Sequence, residues 1–200
     1  MKALPKKLLP LTLFAIAATL LFSVQPAQAN FIETLRQVGT NVVATGTGAI
    51  DLTGLTLRFP ATLSPVIVPS LPGIITGAPG TGAEFMGTIS GPPNFGSGLT
   101  TFADSGVGQL AGVATSPSLD VIFVPFGYGN DTLLSDSATY NGATFASLGV
   151  TPGTYVWTWG TGPDQNFTLE IGTLPDGGTT VSLLGCALLS LLGLRRRLGC

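Results

Sequence analysis

The side chains that could do chemistry in this chain are carboxylates and aromatic rings. Histidine is absent, and both cysteines, Cys186 and Cys200, stand near the C-terminus. Between residues 30 and 173 there is therefore neither imidazole nor thiol, so Ser-His-Asp and Cys-His catalysis and the usual zinc sites cannot be assembled there. A G-x-S-x-G nucleophile elbow is missing as well. Two acids across a cleft suffice for glycoside hydrolysis. Glu84 with Glu170, or Asp104 with Asp120, could take that role, but no spacing selects either pair over acids that form turns and solvate the surface. Asp131 and Asp136 around Asn130, and Asp164 beside Pro163, read as turn residues. A calcium loop among them lacks the D-x-D-x-D-G pattern. The run GVGQLA at 106–111 fits G-x-G-x-x-A, yet no helix or βαβ unit follows it, so neither a dinucleotide nor any other cofactor is expected.

The aromatic pair Trp157 and Trp159 is the other chemical candidate. Two indoles on one face of a strand can form a flat platform for sugar rings, or they can pack a core. Val150-Thr151-Pro152-Gly153-Thr154-Tyr155 has the apolar-x-Pro-Gly-x-Tyr form of a tyrosine corner, in which the phenol hydroxyl bonds back to the main chain at the arch between two sheets. Tyr155, Trp157 and Trp159 share one face of the strand that follows. With Tyr155 turned into the corner, both tryptophans turn toward the core.

The elements that must position these groups read as strands. Threonine and valine recur in short runs punctuated by Gly, Pro, Asn and Asp, the pattern of an all-β domain with many turns. Strands are expected over 41–44, 49–59, 84–90, 99–103, 107–113, 121–124, 137–140, 143–146, 154–159 and 166–171. Residues 31–38 are the one piece with helical spacing, and residues 60–82, crowded with Pro and Gly, read as a long loop or irregular edge. Asn141-Gly142 predicts a tight hairpin between its two flanking runs. The fold class is an antiparallel Greek-key β-sandwich, jelly-roll or immunoglobulin-like.

Both ends read as processing signals that bracket a body of residues 30–173. Residues 1–29 open with Lys2, Lys6 and Lys7, continue through an apolar stretch, and close on Ala27-Gln28-Ala29. This is the layout of a secretory signal peptide cut before Asn30 by signal peptidase. Residues 174–200 begin with Leu174-Pro175-Asp176-Gly177-Gly178, run apolar from Val181 to Leu194, and end near Arg195, Arg196 and Arg197. The apolar run is short of the ~20 residues a comfortable span needs, and the arginines favour the cytoplasmic side, which suits a temporary membrane tether. The body itself carries Arg36 and Arg58 against nine carboxylates, a formal −7 that excludes a nucleic-acid-binding surface. With no cysteine in an exported body, its stability rests on packing.

The three-part tail resembles the PEP-CTERM sorting signals, in the variant written VPDSG-CTERM, with Leu174 in place of Val and Gly177 in place of Ser. The resemblance implies that an exosortase, a membrane-embedded cysteine-peptidase-like enzyme, recognises the Pro175-Asp176 region and removes the helix and arginines. It also implies a Gram-negative export associated with the outer surface and extracellular polysaccharide. Residues 137–171 also resemble a body found repeatedly in front of such tails. Three readings of the body follow: a non-enzymatic surface or matrix protein, a carbohydrate-binding module, and a glycosidase-like enzyme, in that order.

Overall fold

The computed structural model describes residues 30–116, 119–162 and 164–172. The segment 1–29 with Ala27 and Ala29, and the tail with Leu174, Pro175, Asp176, Gly177, Gly178 and Arg195 to Arg197, lie outside the described residues. The described chain is built from strands β1 (Phe31–Val38), β2 (Asn41–Gly48), β3 (Thr56–Leu63), β4 (Val66–Val68), β5 (Gly73–Thr76), β6 (Gly80–Met86) and β7 (Ile89–Ser90). Then come β8 (Thr101–Phe102), β9 (Ser105–Gly108), β10 (Ala111–Ser116), β11 (Leu119–Pro125) and β12 (Leu134–Tyr140). One helical turn, α1 (Phe145–Leu148), precedes β13 (Gly153–Trp159) and β14 (Asn166–Ile171). No helix among the described residues is long and apolar enough to cross a membrane.

The strands form two sheets, ordered β7-β13-β14-β1-β2-β12-β9 and β3-β6-β11-β10-β5-β4-β8. Alternation decides their inner faces. Phe31 and Leu35 of β1, Val42 and Ala44 of β2, and Phe167, Leu169 and Ile171 of β14 point inward from the first sheet. Ile67, Ile74, Val113, Ile122 and Val124 meet them from the second, in one continuous cluster. Aromatic contacts knit its middle: Phe31 and Phe167 lie 5.1 Å apart, Trp157 and Phe167 5.9 Å, and Phe95 and Trp157 6.2 Å between ring centroids. Such pairs add about 0.5–1.5 kcal/mol each beyond the area they bury.

The all-β class holds, but its purely antiparallel form is corrected. β1 runs parallel to β14, with Phe31 opposite Phe167 and Leu35 opposite Ile171. The β13–β14 hairpin docks on the side of β1 that β2 leaves open, and its polarity there follows a long chain excursion with no local signal. Residues 31–38 are β1 and not a helix. Glu33 occupies the inward row between Phe31 and Leu35, so a charge interrupts the apolar alternation that would have announced a strand, while pairing on both sides outweighs the weak helical spacing.

Residues 60–82 are likewise largely strand. Their prolines punctuate and do not break: Pro60 sits on edge strand β3, where the register shifts between Leu57 and Pro60, and Pro65, Pro69 and Pro72 flank β4 and β5. Residues 107–113 divide between β9 and β10, which belong to different sheets. Residues 49–55 precede β3 as a loop that still buries Ala49, Ile50 and Leu52. The hairpin at Asn141-Gly142 does not form. Gly142 takes φ +63°, but the turn leads into α1, which Thr144 and Ser147 cap reciprocally. The turn's N–H groups are taken by distant side chains, Asn141 by Asp104 Oδ2 at 2.7 Å and Gly142 by Asn41 Oδ1 at 3.0 Å.

Candidate functional site

The most unusual chemistry in the body lies inside the core. Glu33 of β1 and Asp136 of β12 flank Gly46 of β2 in one cross-strand row, and all three positions face inward. Both carboxyls lean over the glycine. A Cβ at Gly46 would stand 2.5 Å from Glu33 Oε2, 2.5 Å from the tip of Phe31 and 2.8 Å from Asp136 Oδ1. Only glycine leaves room for two acids above the same backbone. From the opposite sheet, Thr76 of β5 donates its hydroxyl to Glu33 Oε2 at 3.0 Å. Glu33 Oε1, both carboxylate oxygens of Asp136 and the hydroxyl of Tyr140 are buried without a well-formed hydrogen bond.

Glu33 has no exposed surface and Asp136 keeps 4%. Burial, then the charge of Asp136, holds the Glu33 carboxyl well above its ordinary value. Burial likewise pushes Asp136 up to about 6, against the pull of the nearby Thr76 hydroxyl and Gly46 N–H. Tyr140 is raised too, by burial and by the charge of Glu33. A proton held between the two carboxyls resolves the conflict, because it turns two repelling acceptors into a donor and an acceptor. The arrangement favours a protonated carboxyl over two buried charges. It does not offer two acids to a substrate, since glycoside cleavage needs an open cleft between them.

The acids singled out in the sequence are placed elsewhere. Glu84 lies on β6, in the second sheet, and accepts from Arg58 Nη1 at 3.2 Å, whereas Glu170 lies on β14 in the first. Asp104 caps the Asn141 turn, and Asp120 is on β11. Neither pair is therefore assembled across a shared sheet. Asp136 is not a turn residue but the middle of β12; Asp131 does sit in a turn, at φ +59°. Among the described residues no group of three or more acids converges as a metal cage. Gly106 to Ala111 crosses from β9 to β10 with no helix after it, which removes the dinucleotide pattern. The Glu33–Asp136 pair was missed, although both acids stand at inward positions of alternating runs, Phe31-x-Glu33-x-Leu35 and Leu134-x-Asp136-x-Ala138-x-Tyr140.

The sugar-platform reading of Trp157 and Trp159 is corrected. Their rings keep 0% and 3% exposure. Trp157 Nε1 donates to Thr115 Oγ1 at 3.2 Å and Trp159 Nε1 to the carbonyl of Asp51 at 2.7 Å, so each indole has a partner inside the fold. Tyr155, two residues earlier on the same face, donates its hydroxyl to the carbonyl of Thr151 at 2.9 Å, with Val150, Pro152 and Gly153 forming the bend between them. Replacing Tyr155 by Phe removes that bond and leaves the ring against Phe95, 5.8 Å away. The expected loss is about 0.5–1.5 kcal/mol, read as a lower thermal midpoint with an unchanged circular dichroism spectrum.

A surface cleft of about 310 Å³ lies beside this core, lined by Leu71, Pro72, Ile89, Pro92, Pro93 and Asp120 among others. Asp120 is the one acid among its described lining residues.

Comparison with known proteins bears on the tail. Residues 175–198 match the VPDSG-CTERM motif, a PEP-CTERM-like exosortase sorting signal. That motif implies export to a bacterial cell surface and an exosortase as partner. No curated protein and no solved structure matches the chain.

Proposed function

We propose that this chain is an exported, non-enzymatic cell-surface or extracellular-matrix protein of a Gram-negative bacterium, delivered between a cleaved signal peptide (residues 1–29) and an exosortase-processed tail (residues 174–200). The observation that carries the reading is the sorting motif at 175–198. The body, residues 30–173, is what reaches the surface, and its role is that of a stable acidic β-domain of Greek-key type. The tyrosine-corner bond supports that architecture. Burial of the acid pair and of both tryptophans supports a body without catalysis.

The same reading fixes the expected product. Signal peptidase releases Asn30 as the first residue, and exosortase, acting while the tail is tethered in the inner membrane, removes the arginines. A mass spectrum of the native surface form is expected to lack residues 1–29 and Arg195 to Arg197. Replacing all three arginines by glutamine is expected to deplete the surface form, because the stop-transfer signal is weakened. Finding the arginine cluster in the mature product would overturn exosortase handling.

The cleft lined by Pro92, Pro93 and Asp120 favours a second reading, a module that holds extracellular polysaccharide. The net negative body restricts it to neutral glycans or to anionic ones bridged by cations. A glycan array probed with the exported form separates the two: retention on neutral glycans, lost on Asp120→Ala, would favour binding over a purely structural role.

A further inference from the structure

Asn141-Gly142 carries a reactivity of its own, apart from the hairpin its composition suggests. When glycine follows asparagine, the glycine main-chain nitrogen can add to the carbonyl carbon of the asparagine side chain. Ammonia leaves, and water opens the resulting five-membered imide to an aspartyl or an isoaspartyl residue. Glycine favours the step because no Cβ obstructs the approach of its nitrogen. Of the six asparagines in the chain, Asn141 alone precedes glycine; the others precede Phe, Val or Asp. Both Asn141 and Gly142 are exposed.

The fold grips the reacting atoms. The turn leaves β12 just after the buried Tyr140, and Gly142 holds φ +63°. The nitrogen that would attack, Gly142 N, donates its proton to Asn41 Oδ1 at 3.0 Å. Asn41 Oδ1 also accepts from the Thr40 hydroxyl at 3.3 Å. Asp104 clasps the preceding residues from the other side: its carboxylate Oδ2 accepts from Asn141 N at 2.7 Å, and its own N–H donates to the carbonyl of Thr139 at 2.8 Å. Ring closure needs the Gly142 nitrogen to release its proton and the Gly142 peptide plane to rotate over the Asn141 side chain. A hydrogen bond to Asn41 opposes both.

We propose that Asn141 is a site of spontaneous, one-way modification in this protein and that Asn41 and Asp104 set its rate. In the step, a bond forms between Gly142 N and Asn141 Cγ and the bond from Cγ to Nδ2 breaks. The Gly142 proton leaves with Nδ2 as ammonia, and one water then adds across the imide; no oxidant or cofactor takes part. Either product places a new carboxylate beside Asp104, in a body whose formal charge is already −7. Repulsion between the two acids weakens the hold of Asp104 on the turn. The isoaspartyl form also lengthens the main chain by one carbon, which draws Gly142 away from Asn41. The junction of β12 with α1 therefore loosens once and irreversibly as the protein ages.

The test is incubation of the full chain in detergent micelles at pH 8, beside the same chain in guanidinium chloride, with peptide mapping of residues 141–142 by mass spectrometry over time. Folded wild type is expected to accumulate aspartyl and isoaspartyl forms at 141 ahead of every other asparagine, and more slowly than the denatured chain. Asn41→Ala and Asp104→Ala are each expected to speed the reaction about fivefold, the factor that one ordinary hydrogen bond represents. Asn41→Asp keeps an oxygen acceptor and is expected to stay near the wild-type rate. Unchanged tryptophan emission shows that each variant is folded, and either alanine variant reads the clamp without the other. Asn141→Asp, which carries the product's charge, is expected to lower the thermal midpoint by an amount that added salt reduces. No reaction at Asn141 in folded wild type or Asn41→Ala, while the denatured chain reacts, would overturn the modification site. Equal rates in wild type, Asn41→Ala and Asp104→Ala would overturn the control exerted by those two side chains.

Discussion

Trp157→Ala is expected to take away a large share of the body's stability. The indole is fully buried at the centre of the sandwich, edge-on to both Phe95 and Phe167, and its Nε1 donates to Thr115 across to the other sheet. Truncation removes the largest fully buried side chain, leaves a cavity between two sheets whose backbones are held by their own ladders, and removes the bond to the Thr115 hydroxyl. Losses of about 3–5 kcal/mol are typical of such a change, against a total stability of about 5–15 kcal/mol. For a body of this size that lowers the thermal midpoint by roughly 10–20 °C. Trp157→Phe keeps most of the packing and is expected to cost much less. Calorimetry of the two variants beside wild type checks the order. An alanine variant within a degree of wild type would place the ring outside the core.

The second large effect concerns pH. Glu33 and Asp136 both have carboxyls raised above their unfolded values by burial, so the folded state binds protons that the unfolded state releases. Stability is then full below the unfolded carboxylate values, near pH 4, and falls as pH rises through the folded value of Asp136, about 6, toward that of Glu33. At pH 8 the fold must either keep a proton on a group that would rather lose it or bury two like charges. Glu33→Gln retains shape and an N–H donor toward Asp136 while removing one ionisation. It is expected to raise stability at pH 8 relative to wild type and to flatten the dependence between pH 4 and 8. Asp136→Asn acts in the same direction, and the two gains do not add, because either one dissolves the conflict. Chemical denaturation at pH 4, 6 and 8 reads this directly. A wild type that grows more stable from pH 4 to 8 would contradict the shared proton.

The balance between local and distant forces explains which parts of the fold could be read in advance. Residues 166–171 match β14 to the residue, and residues 154–159 fall one short of β13, because clean alternation of apolar and polar side chains runs through both. Where an inward position carries a carboxylate, as at Glu33, the alternation is broken and β1 looks helical. Residues 143–146 have the composition of a strand, yet a capping box between Thr144 and Ser147 and the left-handed Gly149 make a helical turn. Asn141-Gly142 has hairpin chemistry that Asp104 and Asn41 override from distant strands. Among site residues, the inward turn of Trp157 and Trp159 followed from their spacing to Tyr155. The acid pair required knowing that β1 and β12 both flank β2.

What was written in the linear chain is its class and its destination: strands by periodicity, and a sorting motif that occupies one contiguous stretch of sequence at 175–198. Such signals work before or apart from folding, so they must be legible without it. The pairing of Glu33 with Asp136 over Gly46 and the parallel run of β1 beside β14 were decided by register between strands far apart in sequence. A slip of one residue there would turn each of those side chains to the opposite face, and nothing local to any single strand specifies which slip is avoided.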